Sequence, residues 1–404
     1  MTSVNRTYVI IGNGVAGTNA AERLRKEDPA SRVVIIAAEP YPLYNRLALP
    51  RLLKQETPLH KVMLKDAAWH RDMGIELYLE TRAVQVDVEK RTVVTDQGQE
   101  FVYDKLLVAT GGRPNRLNVP GADIHGVYNF QTLDDAKAIM ERVLESRTAV
   151  AVGGSYIAYE LADAFRARGL ETTWLIRGPR FLHRILDEDG GQLVDLLARE
   201  AGVQVLYGEE VAQVVGQNGV VTKVITKGGR TVEADMVGVG IGQTLNTEVL
   251  AGTGVQVRKG IVTDASLRTS VPDIFAAGDV CEFYDVTIGG YNLLGTWNNA
   301  SSHGKIAAAG MLGREETYEQ VPAYSSTLFS STLSVVGMTP DSRPDLESIS
   351  RVDWENKAYR RLFFWENRLV GAVFIGGRKG KRQITEMIRD RTPVEGPRER
   401  LLEM

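Results

Sequence analysis

The sequence predicts an α/β protein with two parallel βαβ sheets, the second inserted in the first, followed by a small C-terminal α+β domain. Three observations predict it. The chain opens strand–glycine turn–helix–strand, a second unit of the same order begins at residue 148, and the last eighty residues change to alternating strands closed by a helix. Two such openings so far apart imply two separate units, not one large sheet.

Residues 7–11 form an apolar, β-branched run that stops at Gly12. Residues 16–26 carry Ala16, Ala20 and Leu24 at helical spacing, and Pro29 closes them. Residues 32–37 read as a second buried strand. In the second unit, 148–152 is a strand, 155–168 a helix ending at Gly169, and 172–176 another strand. Alternating segments at 83–88 with 92–95, 211–215 with 221–226, and 231–234 read as short strands, several joined by glycine-bearing turns. Toward the end, 330–336, 360–365 and 369–375 read as antiparallel strands and 383–390 as a helix, whereas the charged stretch 395–404 is expected to fray. The expected domains are 1–115 with 245–322, 116–244, and 323–404.

With 404 residues, the chain is long enough for two to three domains, and its 43% hydrophobic and 25% charged residues are ordinary for a globular protein. A net charge of −3 argues against a nucleic-acid or membrane-surface footprint. Apolar runs such as 8–11 and 33–38 are strand-length, far short of a membrane span. Residues 1–6 lead into the first strand without a signal peptide's apolar stretch, so a cytoplasmic location is expected. No repeat or low-complexity tract is present. The single cysteine, Cys281, excludes an intramolecular disulfide, a Cys-x-x-Cys pair and the usual cysteine-rich iron–sulfur or zinc sites. Any electron chemistry must therefore use a borrowed cofactor. Cys281 itself reads as a small buried hydrophobe.

Gly12-Asn13-Gly14-Val15-Ala16-Gly17 is a G-x-G-x-x-G between strand and helix. Its first glycine permits the tight turn, the second lets backbone approach a pyrophosphate, and the third lets helix pack on strand. Glu39, 22 positions past Gly17, lies where a carboxylate accepts ribose hydroxyls. This identifies a Rossmann-like dinucleotide-binding domain. The second unit departs from the pattern. Gly153-Gly154-Ser155-Tyr156-Ile157-Ala158 keeps the first glycine but has Ser155 and Ala158 at the other two positions. Alanine is tolerated at the third, whereas Ser155 brings a Cβ to where backbone should touch phosphate, which weakens the site or leaves it without a ligand. Arg177 replaces the strand-end acid, with Arg180 nearby. A carboxylate repels a 2′-phosphate and arginine can grip one, so NADPH is favoured over NADH. Val84 and Gly240 complete the residues assigned to the two nucleotides.

These motifs resemble the flavin reductases of the pyridine-nucleotide–disulfide oxidoreductase superfamily, particularly rubredoxin reductases, oxygenase-type ferredoxin reductases and the flavin portion of assimilatory nitrite reductases. The resemblance runs from about Tyr8 to the chain's end. It includes Ala109-Thr110-Gly111, where the chain leaves the first unit, and the block from Thr269 to Gly278-Asp279. It implies FAD in the first unit, NADPH or NADH in the second, and Asp279 on the flavin's ribityl and pyrophosphate end. Trp297, opening a small-residue helix, is implied beside the flavin ring, with the helix N-terminus facing its pyrimidine carbonyl. His303, where relatives often have glutamine, is expected to be a polar helix residue and not a proton donor. In Tyr44-Asn45-Arg46-Leu47-Ala48-Leu49-Pro50-Arg51, the resemblance implies that Arg46 reaches the adenosine half of FAD. It places Arg51 where relatives have a lysine near the flavin, paired with the glutamate that here is Glu160. Catalytic roles are thus implied for Arg51, Glu160 and Trp297.

Together these imply an FAD-dependent NAD(P)H oxidoreductase passing electrons to an external acceptor, either a small carrier such as rubredoxin or ferredoxin or a partner reductase, as a monomer or homodimer. Two alternatives stay open: an oxidase or quinone reductase with a small acceptor, and a flavin-binding signalling or scaffold protein, like apoptosis-inducing-factor relatives, with a degenerate nicotinamide site. The basic run Arg378-Lys379-Gly380-Lys381-Arg382 reads as a solvated loop or as a docking patch for an acidic carrier.

Overall fold

The computed structural model describes residues 6–377 and 379–404. Expectations touching residues 1–5 and Arg378 lie outside the described residues. The chain divides into two units. One holds the chain up to Asn45, His60–Arg113 and Thr244–Pro322; the other holds Arg46–Leu59, Pro114–Gln243 and Ala323–Met404.

The first unit is built on a parallel sheet in the order Ile274–Ala276, Lys105–Val108, Thr7–Ile11, Arg32–Ile36, Ile75–Tyr78. Both faces of its central strands are covered, so Val9, Ile10, Val34, Ile35, Leu106 and Leu107 are all fully buried. That is why these strands read as continuous apolar runs without alternation. Helix Val15–Glu27 packs against helix Trp297–Met311 at very short range. A Cβ on Gly304 would stand 2.0 Å from the Ala16 carbonyl oxygen, so glycine is required there. Asn19 donates to Ser301 Oγ at 2.9 Å along the same seam. The hairpin expected at 83–95 forms as Ala83–Asp87 against Thr92–Thr95.

The second unit has its own parallel sheet, ordered Val203–Tyr207, Glu171–Ile176, Thr148–Val152, Met236–Val239, Val127–Asn129. Helix Leu133–Val143 starts with a capping box in which Thr132 and Asp135 satisfy each other's backbone N–H groups. Buried Trp174 donates from Nε1 to the Gly153 carbonyl at 2.7 Å, which anchors the glycine turn to the next strand. The later part of this unit is an antiparallel sheet, ordered Ala323–Leu328, Ser331–Gly337, Arg368–Ile375, Ala358–Trp365, Glu347–Asp353. Helix Lys381–Arg389 buries Ile384 in a cluster with Leu362, Phe364, Ala372 and Phe374.

One expectation is overturned by the structure. Residues 395–404 do not fray. Arg360 donates to the carbonyls of Leu401, Leu402 and Met404, and Arg398 pairs with Glu347. One of the charges that suggested solvation, Arg398, helps hold the segment, and Arg360 holds it from the neighbouring sheet. His303 lies on helix Trp297–Met311, as expected, and is 0% exposed there; neither ring nitrogen has a hydrogen-bond partner. Phe283 and Tyr318 meet its ring edge-on at 4.6 Å each.

Candidate functional site

In the first unit, four turns meet at the carboxyl edge of one parallel sheet. Gly12–Gly17 follows its third strand, Glu39 its fourth, Ala109–Gly111 its second, and Gly278-Asp279 its first. The carboxyl edge of an open parallel sheet is where such folds bind nucleotides. The turn around Gly12 is tight because φ is +108° and an added Cβ would stand 2.3 Å from the Ala109 carbonyl oxygen. A Cβ on Gly17 would stand 1.9 Å from the Gly12 carbonyl, so helix and strand meet only because that position is glycine. Gly14 is different: its backbone is extended, it caps the helix without a side chain, and a Cβ there would meet nothing within 4 Å. The helix N-terminus therefore faces open space that a phosphate group can fill. Asn13 fixes the turn by donating to the Tyr41 carbonyl at 2.7 Å, and Thr18 donates to the Asn13 carbonyl at 3.0 Å. Val15 and Ala16 form the helix's first turn.

Glu39 accepts a hydrogen bond from Tyr44 Oη at 2.6 Å, which orients the carboxylate. The sequence offered Tyr44 only as part of a quoted stretch, with no hint of this role. Glu80 donates its N–H to the Glu39 carbonyl, so Val84, 47% exposed, follows closely along the same segment. Thr110 Oγ1 donates to the Asn246 carbonyl at 2.6 Å, and Gly111 has φ +61° with open space at its Cβ position. Gly278, φ +79°, sits between the two packed helices: a Cβ would meet Ala16 at 3.2 Å and Ala300 at 3.6 Å. Asp279 follows it, half-buried, and half-buried Trp297 opens helix Trp297–Met311, whose N-cap is Thr296. These donors and clearances fit a dinucleotide's pyrophosphate and ribose.

In the second unit, Gly153, Arg177 and Gly240 likewise follow the carboxyl ends of adjacent strands. A Cβ on Gly153 would stand 2.1 Å from the Gly240 carbonyl oxygen, and one on Gly240 would stand 2.6 Å from Ala158 N. Ser155 has the same extended backbone and N-cap position that Gly14 has in the first unit. Its hydroxyl turns away to donate to the Gly240 carbonyl at 2.7 Å. The serine thus stitches the turn to the neighbouring strand, and its only cost to a phosphate is one Cβ. Gly154 is exposed, and Tyr156 and Ile157 begin helix Tyr156–Ala167. Arg177 is exposed. Arg180 is not available in the same way, because it donates to the carbonyls of Leu186 and His183.

The structure does not form the Arg51–Glu160 pair. Arg51 is mostly exposed and reaches Glu56 at 3.6 Å. Lys54, three positions later, is half-buried and bridges Asp163 and Glu56 at 3.1 Å each. Pro50 lies in the first turn of the short helix Leu49–Leu53, and Lys54, which caps its C-terminus, reaches Asp163 on helix Tyr156–Ala167. Glu160 accepts from Ser326 Oγ at 2.9 Å and from Tyr324 Oη at 3.4 Å. Tyr324 also stacks on Tyr156 with ring centroids 4.3 Å apart. Burial pushes the Glu160 carboxyl up to about 7, partly offset by those two hydroxyls and by Lys54. Arg46 donates to the Gln131 carbonyl at 2.8 Å. In the basic run, Lys381 donates to Ser325 and Ser334 and Arg382 pairs with Glu386, so these side chains brace their own domain. Among the described residues, no three His, Cys, Asp or Glu side chains come together as a metal site, and no helix is long and apolar enough to cross a membrane.

Residues 6–304 match the family model for pyridine nucleotide-disulphide oxidoreductases. The chain belongs to this family. Its members bind FAD and a nicotinamide dinucleotide. Residues 328–392 match the rubredoxin NAD+ reductase C-terminal domain. The chain is 28% identical over 396 residues to nitrite reductase [NAD(P)H] of Bacillus subtilis, covering 96% of this chain and 48% of that protein. It is 32% identical to the ferredoxin–NAD(+) reductase component of the biphenyl dioxygenase system of Paraburkholderia xenovorans, covering 82% and 81%. Among solved structures it resembles the reductase in the covalent putidaredoxin reductase–putidaredoxin complex, with TM-score 0.92, 26% identity and coverage of 99% and 98%. The chain spans about half the length of the Bacillus subtilis nitrite reductase it matches.

Proposed function

We propose that this chain is an FAD-dependent NAD(P)H oxidoreductase that hands electrons to a small redox protein of the ferredoxin or rubredoxin kind. The convergence of four turns on one open sheet edge, with helix N-terminus and Glu39 in register, carries the proposal. In this assignment residues 1–115 with 245–322 hold FAD, 116–244 hold the nicotinamide dinucleotide, and 323–404 form an interface domain. Bound FAD supplies the exchange between a two-electron donor and a one-electron acceptor. The protein's residues bind and tune. Gly12, Gly14 and Gly17 admit the pyrophosphate, Glu39 accepts the ribose hydroxyls, and Asp279 holds the ribityl end. Trp297 shields the ring, and its helix N-terminus favours negative charge on it by about 0.3–2 kcal/mol. Glu160, poised near neutrality, can hold or release a proton, with Lys54 and the Ser326 and Tyr324 hydroxyls setting its value. Arg177 favours the 2′-phosphate of NADPH. The cytoplasm is the proposed compartment, since reduced nicotinamides are available there.

Relatives named as ferredoxin and rubredoxin reductases support a protein acceptor over dioxygen or a quinone. Turnover with NADPH should accordingly be fastest with an added ferredoxin or rubredoxin. Equal rates with dioxygen or a quinone alone would point to the oxidase alternative. Glu39→Arg should abolish FAD retention, and a variant purified yellow and fully loaded would refute that assignment.

A further inference from the structure

Beyond the second sheet's glycine turn, the strand-end segments 176–178 and 208–210 run side by side. Gly208 N–H donates to the Gly178 carbonyl at 3.4 Å and Glu209 N–H to the Ile176 carbonyl at 3.2 Å. This pairing continues the register of Ile176 opposite Tyr207 past the sheet edge, so that Gly208 falls opposite Arg177 and Glu210 lies two positions further along the same segment, close enough for the Arg177 charge to act on it. Lys227 is brought in from the antiparallel strand pair: its N–H donates to the Glu210 carbonyl and its Nζ reaches Glu210 Oε1 at 2.8 Å. Glu209 is diverted to Arg230 at 3.0 Å. Of the two carboxylates on this segment, Glu210 is therefore the one that pairs with Lys227 and also feels the charge of Arg177, with 43% of its side chain exposed. The hydrogen bond from Lys227 holds Glu210 below the usual carboxylate range, with the charges of Lys227 and, least, Arg177 acting the same way.

We infer that Glu210 is a specificity-determining residue for the nicotinamide cofactor: it offsets the positive charge of Arg177, and Lys227 controls how much of that offset Arg177 feels. This deepens the proposed function and rests on Arg177 facing the ribose 2′ position. The 2′-phosphate of NADPH brings about two negative charges; the 2′-hydroxyl of NADH brings none. A carboxylate beside Arg177 therefore penalises NADPH while being nearly neutral to NADH, and the chain is expected to accept both donors instead of rejecting NADH outright. Lys227 acts in the opposite direction, by drawing Glu210 toward itself.

The test is the ratio of kcat/KM for NADPH to that for NADH, measured on the FAD-loaded protein with an artificial electron acceptor. Glu210→Gln should raise this ratio by about two- to fivefold, the range expected for a solvent-exposed charge pair, with the rise shrinking as salt is added. Lys227→Gln, which leaves Glu210 free to face Arg177, should lower the ratio by a similar factor. Arg177→Ala serves as the control for the underlying assignment and should lower it further. A ratio moved by Arg177→Ala but not by Glu210→Gln, or moved the same way by Glu210→Gln and Lys227→Gln, would overturn the inference while leaving Arg177 in place. A ratio unmoved by Arg177→Ala would remove Arg177 from the site, and the role of Glu210 with it.

Discussion

Replacing His303 by leucine should make the protein less sensitive to acid. His303 is fully buried on helix Trp297–Met311, enclosed by Phe283 and Tyr318, with no partner for either nitrogen. Burial holds its pKa down at about 3, against 6.5 for an ordinary histidine. A group whose folded pKa is depressed contributes stability above its unfolded pKa and loses it as pH falls. Between pH 7.5 and pH 5 the unfolded chain takes up this proton and the folded chain does not. With 1.36 kcal/mol per pK unit, the native state loses about 2 kcal/mol through this one group over that range. Urea unfolding of the FAD-loaded protein at both pH values, for wild type and His303→Leu, isolates the contribution. The wild type should lose about 2 kcal/mol more than the variant on going to pH 5. Equal losses would show that the ring either finds a partner or protonates within the fold.

Glu160 has the opposite sign. Its folded pKa is raised to about 7, so the stability it contributes in acid is lost as pH rises toward and through 7. Glu160→Gln should therefore gain on the wild type between pH 5 and pH 8 in thermal unfolding, and any step near pH 7 in the kcat/KM profile should flatten; a variant tracking the wild type in both would contradict the assignment. Cys281 is buried beside Thr263, and burial pushes its thiol up to about 12. Its reaction with a thiol reagent at pH 8 should be absent in the native protein and appear at the rate of unfolding. Prompt native labelling would mean that the strand Cys281–Asp285 opens locally.

Local chemistry made the two nucleotide units readable. Gly12, Gly17 and Gly153 are glycines for reasons of contact distance that their spacing already expresses, and the buried parallel strands announce themselves as unbroken apolar runs. The edge strand Glu347–Asp353 went unread because its residues are mostly exposed or half-buried and show no apolar alternation. The Arg51–Glu160 pair failed because alignment by resemblance says nothing about which side of a short helix a side chain takes; Lys54 lies on the packed side. Charge was the least reliable guide. It suggested a frayed end where Arg360 and Arg398 anchor the chain. The redirected hydroxyl of Ser155 was also beyond reach, since it depends on Gly240, 85 residues away.

The most direct test of the two-cofactor assignment is anaerobic stopped-flow mixing of the FAD-loaded protein with NADPH and NADH in parallel, following the visible absorbance of oxidised flavin. Bleaching with at least one donor is expected at or above a typical turnover of about 10 per second. Bleaching absent or far slower with both would contradict it, and would mean that the second unit does not deliver electrons to the first.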